Sequence, residues 1–121
     1  MGSWGVKNFD NDTACDFIGL EIRKYSYQIK EAVDKFEYYE VFYRCNEKII
    51  VIIDILVVLV KLGESACYLP ELKEIRRWKK LYMKYWDKLV CESWNEDCRE
   101  PRRKVLEESF DRLIALAKNN K

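Results

Sequence analysis

The sequence predicts an all-α fold: a compact bundle of about four helices, with an irregular N-terminal segment packed on it. Three observations lead there. The chain has 121 residues, 49% of them hydrophobic and 36% charged, which suits one globular core and argues against disorder. It has only 4 Gly and 2 Pro, too few to punctuate many short strands. Apolar residues recur at steps of three and four through most of its length.

Residues 1–10 form the irregular segment, with Trp4 and Phe9 as aromatic anchors. Asp10-Asn11-Asp12-Thr13 then supplies an N-cap, and its carboxylates suit the positive end of a helix. Ile18, Ile22, Tyr25, Ile29, Ala32 or Val33, and Phe36 make the first apolar stripe. The run from Ile49 to Val60, IIVIIDILVVLV, is interrupted only by Asp54. Its Ile and Val content favours a strand by propensity. It lacks alternation, however, and from Glu47 to Leu62 it is too long for a typical strand. It is predicted as a helix, apolar nearly all round and therefore central, stopped by Gly63.

Pro70 opens the next helix as its first residue. Leu72, Ile75, Lys79, Tyr82, Trp86 and Leu89 share a face there, with Lys79 marking a break or a snorkelling side chain. The pattern fades from Trp94 to Cys98, and Pro101 opens a last helix with Leu106, Phe110, Leu113 and Ala117 on one stripe. Residues 1–121 read as one domain, fraying at 118–121.

Composition also narrows function. There is no histidine, which removes the commonest general base and most zinc and iron sites. The five cysteines (Cys15, Cys45, Cys67, Cys91, Cys98) contain no CxxC and read as reduced thiols. With 22 Lys+Arg against 21 Asp+Glu, net charge implies no strong nucleic-acid or membrane field. No basic segment followed by an apolar one opens the chain, so a cytoplasmic location is expected. The 49–60 run is shorter than the roughly 20 residues a bilayer span needs, so no membrane association is expected. No catalytic residue, cofactor or metal ligand is expected.

The opening residues carry a more specific signal. Met1, Gly2, Trp4, Gly5, Phe9, Asn11, Asp12, Ala14, Asp16 and Phe17 match the form M-G-x-W-G-x-x-x-F-x-N-D-x-A-x-D-aromatic. In this the chain resembles the DUF4259 proteins, an uncharacterised bacterial family. Asp54, Leu69-Pro70 and the helix from Pro101 look like counterparts of family features, although Ile and Val stand here where the family favours Ala. The resemblance implies an all-helical domain and brings no established activity. By analogy, small bacterial proteins of this kind resemble immunity proteins, which neutralise a toxin delivered by a neighbouring cell.

Four constellations were weighed. Asp10, Asp12 and Asp16 could coordinate a cation, but capping is the preferred reading: Asn11, Asp12 or Thr13 caps the helix and Asp16 helps to bond the first-turn amides. Trp4, Gly5 and Phe9 form a plug, Gly5 permitting a turn that other residues resist. Asp54, expected to be buried, is read as a clamp on N-terminal amides or the Trp4 indole. Lys73, Arg77, Lys80, Lys84 and Lys88 form a basic stripe flanked by Trp78, Leu81 and Tyr85, which suits phosphate binding and base stacking.

Acidic residues cluster twice: Glu31, Asp34, Glu37 and Glu40 around Tyr38 and Tyr39, and Glu92, Glu96, Asp97 and Glu100 beside Trp94. Glu37, Tyr38, Glu40, Glu92, Trp94, Glu96 and Asp97 are the expected partner-binding residues. Charge would speed encounter with a basic toxin, such as a nuclease, and exposed rings would anchor it. The leading expectation is a non-enzymatic immunity protein. The alternative is a small nucleic-acid-associated or regulatory protein using the 73–88 stripe, and homodimerisation through exposed aromatics is a third reading.

Overall fold

The computed structural model describes Ser3 and residues 5–119. The Trp4 anchor lies outside them. Four α-helices carry the fold: α1 (Asp12–Val33), α2 (Tyr39–Gly63), α3 (Leu72–Tyr85) and α4 (Glu96–Lys118). Short 3-10 turns lie at Ala66–Tyr68 and Cys91–Ser93, and a π-helical turn at Trp86–Val90 extends α3. No strand is present among the described residues; one isolated bridge joins Ser3 to Asn11.

The helices pack in a ring, α1 on α2, α2 on α4 and α4 on α3, closed by a thinner contact between α1 and α3. Cross-helix pairs fix their directions. Glu47–Arg102 and Asp54–Arg112 advance together, so α2 and α4 are parallel. Asp87–Arg103 and Lys79–Asp111 run oppositely, so α3 and α4 are antiparallel. The predicted stripes fill the interior. Ile18, Ile22, Ile29, Val33 and Phe36 are buried, as are Leu106, Phe110, Leu113 and Ala117.

Ring packing dominates one end of the core. Phe36 meets Phe42 edge-on at 4.9 Å, Phe42 lies 5.4 Å from Tyr82, and Tyr82 lies 5.3 Å from Phe110. Such pairs add roughly 0.5–1.5 kcal/mol each beyond area burial. The Tyr82 hydroxyl donates to the Asn46 carbonyl at 2.9 Å. Burial holds this phenol well above the usual tyrosine pKa.

Several boundaries differ from the sequence expectation. α4 begins at Glu96, so Pro101 lies inside the helix instead of opening it. As the sixth residue of the helix, Pro101 has no N–H to offer the Asp97 carbonyl, so one ladder bond near the N-terminal end is missing. α3 starts at Leu72, after a Glu71 N-cap, two residues beyond Pro70. α2 begins at Tyr39, well before Glu47.

α2 is apolar on both faces but buried on only one, so it is not central on every side. Its buried face is Ile49, Ile50, Ile52, Ile53, Leu56, Val57 and Val60, while Val51, Asp54, Val58 and Leu62 face solvent. Asp54 is therefore no buried clamp. Its carboxylate is about half exposed and pairs with Arg112 at 3.5 Å. Lys79 does snorkel, reaching Asp111 at 2.7 Å.

The N-terminal segment packs through Phe9, half-buried against the core, whereas Val6 is exposed. The Asn11 side chain caps α1 by accepting from the Ala14 N–H at 2.8 Å. Gly5 does not have positive φ. Its constraint is space: a Cβ there would fall 2.3 Å from Asp10 Oδ2, so Asp10 would have to swing away from the Lys7 N–H it accepts at 3.0 Å. Asp16 accepts from the Tyr68 hydroxyl at 3.4 Å, a partner far away in sequence.

Tyr68 is a lock that sequence reading missed. Its ring lies on Gly19, where any Cβ would come within 2.5 Å of ring carbons, and the Arg23 guanidinium stands 5.1 Å from its centroid.

Gly63 is the last residue of α2, and the left-handed residue after it is Glu64, at φ 49°. The Ser65 N–H bonds the Val60 carbonyl at 3.0 Å, closing a Schellman-type end. A β-carbon is strained in that region. Glu64→Gly is expected to stabilise the fold by roughly 0.5–1 kcal/mol, read as a higher denaturation midpoint at unchanged m-value.

The α1–α3 contact rests on a charge network. Arg77 holds Glu74 through two bonds (3.1 and 2.7 Å) and reaches Asp34 at 2.7 Å; Lys30 meets Asp34 at 2.9 Å. The Trp78 indole donates to Glu74 at 2.8 Å. The Arg77 guanidinium, helped by that indole, lowers the pKa of Glu74, and the Lys30 and Arg77 bonds lower that of Asp34. A carboxylate whose pKa falls on folding adds stability above its unfolded value, near pH 4, and loses it as pH drops through the folded value. Wild-type stability should therefore fall as pH drops below about 4, and Glu74→Gln should flatten that acid limb in denaturant melts at stepped pH.

Candidate functional site: an acidic end of the bundle

Helix directions bring the two acidic clusters together. The end of α1, the start of α2, the π-helical turn after α3 and the start of α4 all lie at one end of the bundle. Residues 34–40 and 87–100 carry eight carboxylates against three cations, in a chain of net charge +1. The remaining residues together therefore carry a net positive charge.

Local physics explains part of this. Glu40 sits in the first turn of α2, and Glu96 and Asp97 in the first turn of α4. The helix dipole favours carboxylates there, and neither helix has a side-chain cap hydrogen bond. Glu37 and Glu92 have no such role. Among the described residues, Glu37, Glu40, Glu92, Glu96, Asp97 and Glu100 make no salt bridge. Five of the expected partner residues, Glu37, Glu40, Glu92, Glu96 and Asp97, are exposed.

The rings differ in availability. Tyr38 is 63% exposed and Tyr39 is 43% exposed. Tyr39 makes an edge contact with Tyr85 at 6.2 Å, and the Lys88 ammonium lies 5.0 Å from its centroid. Trp94 is less free than expected. It is half-buried, and the Arg102 guanidinium lies 5.2 Å from its ring. Arg99 donates to the backbone carbonyls of Trp94 (3.0 Å) and Glu92 (3.2 Å), fixing the loop into α4. Arg99 was not singled out from the sequence, because carbonyl acceptors leave no residue-type pattern.

The basic stripe is partly consumed. Arg77 is spent on Glu74 and Asp34, Lys73 pairs with Glu71 at 3.6 Å, and Lys84 lies over Tyr85 at 5.3 Å. Lys88 lies over Tyr39 in the same way, at 5.0 Å, and Lys80 is exposed. Trp78 is fully buried, which corrects its expected place as a base-stacking platform. Leu81 and Tyr85 are half-buried against the core.

The family model for a domain of unknown function, DUF4259, matches residues 2–119. The chain belongs to the DUF4259 family. The resemblance of the opening residues thus extends over nearly the whole sequence. No match was found among curated proteins or among solved structures. No helix among the described residues is long and apolar enough to cross a membrane.

Unpaired surface carboxylates contribute little to stability. Glu37→Lys and Glu92→Lys are each expected to shift unfolding free energy by no more than about 0.5 kcal/mol, whereas Glu40→Lys, which opposes the α2 dipole, should cost roughly 0.3–1 kcal/mol. Asp54→Asn should cost no more than about 0.5 kcal/mol, since its one ion pair is exposed. Urea melts of each variant check both statements.

Proposed function

We propose that this member of the DUF4259 family is a non-enzymatic intracellular binding protein that neutralises a basic cognate toxin through its acidic end. The observation that carries the reading is the gathering of Glu37, Glu40, Glu92, Glu96 and Asp97 at one end, unpaired and next to exposed Tyr38 and Tyr39. Carboxylates without partners of their own offer a positive surface low desolvation cost and fast, steered encounter. Exposed tyrosines supply the anchoring area such a contact needs. The absence of histidine from the sequence leaves general acid–base chemistry without its usual group.

A second reading draws on the groove of about 490 Å³ between α3 and α4. Arg76, Lys79, Lys80, Arg103 and Lys118 line it, together with Glu107 and Asp111. An anionic backbone can follow such a track, and its binding to RNA or DNA would weaken steeply with salt.

The test is co-purification with the product of the adjacent gene and rescue from its toxicity. Binding is expected to weaken about tenfold or more in Glu37→Lys/Glu40→Lys and to slow on association as salt rises. Neither binding nor rescue by the wild-type protein would remove the immunity reading; a salt-sensitive shift with RNA or DNA would move weight to the groove.

A further inference from the structure

The outward face of α2 carries a pattern the bundle does not use. Val51, Ile55, Val58 and Leu62 follow one another at steps of four, three and four. Val51, Val58 and Leu62 are 55%, 56% and 53% exposed, and Ile55 is half-buried. Single exposed aliphatics are ordinary on a protein surface. Four in line on a 25-residue helix have the 3.5-residue spacing that the seam of a two-stranded coiled coil uses.

We propose that this seam is a self-association surface, occupied by the α2 helix of a second copy running antiparallel. Two features of the chain select that occupant. The first is register. Under a two-fold axis through the middle of the seam, Val51 faces Leu62 of the second copy and Ile55 faces its Val58, so each seam residue is matched once and none is left over. The second is charge. Asp54 and Lys61 lie one heptad apart on the same flank of the seam. In antiparallel pairing, same-flank positions face each other, so Asp54 of each copy meets Lys61 of the other, twice per dimer. Parallel pairing would set Asp54 beside Leu59 and forfeit both pairs. Lys61 makes no salt bridge among the described residues, and the Asp54–Arg112 pair is long and exposed, so both groups are available.

The surface is narrow, four side chains per copy, which places the dimer in the weak, concentration-dependent class. It lies along the side of the bundle and leaves the acidic end open, so it does not depend on the toxin-binding reading.

Sedimentation velocity over a micromolar-to-millimolar series tests it. Wild-type protein is expected to pass from monomer to dimer. Val51→Lys/Val58→Lys should stay monomeric, and because both sites are exposed its thermal midpoint at low concentration should be unchanged. Lys61→Asp should weaken dimerisation about tenfold, and Asp54→Lys/Lys61→Asp should recover most of that loss. A monomer at every concentration overturns the proposal. So does a dimer indifferent to Val51→Lys/Val58→Lys. Failure of the charge swap to recover association, with the apolar variant still monomeric, overturns the antiparallel register.

Discussion

One helix carries more aliphatic surface than any single neighbour can cover, and the bundle is arranged around that fact. Ile49, Ile50, Ile52, Ile53, Leu56, Val57 and Val60 of α2 are all buried. At about 25 cal/mol per Å² this is the main driving force available to a chain of this size. α1 covers one flank, α4 the other, and the rings of Phe42, Tyr82 and Phe110 fill the end where α3 closes the ring. The arrangement leaves α2 with one unpaired line of aliphatics. That line accounts for the solvent position of Asp54 and for the surface offered to a second copy.

Charge is distributed by a different logic. Some carboxylates meet arginines, across helices in Arg77–Asp34 and Arg103–Asp87 and within one helix in Arg77–Glu74 and Arg103–Glu107. These pairs are partly exposed and individually modest. At the end formed by the starts of α2 and α4, the carboxylates have no such partners. The two helix dipoles tolerate them there, so a negative surface is held at low energetic cost. Tyr38 and Tyr39 are exposed beside these carboxylates instead of joining the core.

Close approach between backbone and ring decides how the connection from α2 to α3 is seated. Tyr68 fits against α1 only because position 19 has no side chain, and Asp16 and Arg23 flank it one helical turn to either side. The turn that delivers Tyr68 uses a left-handed Glu64, a local strain offset by the packing it allows.

How much of this was legible beforehand depends on whether the signal was local. The Ile18–Phe36 and Leu106–Ala117 stripes, the Asn11 cap and the helical state of the 49–60 run follow from periodicity and length, properties a single segment holds by itself. Membership of the DUF4259 family was likewise written in the opening residues. The burial of Trp78, the exposure of Asp54, the capture of Arg77 and the pinning of Trp94 were not, because each depends on which neighbour a residue meets. Pro101 misled because its tolerance depends on where the preceding loop lets α4 begin. The sequence by itself determined four amphipathic helices and two acidic segments, 34–40 and 87–100, far apart along the chain. Only tertiary structure decided that both segments lie at one end, since helix direction is set by packing across the ring and has no trace in local pattern.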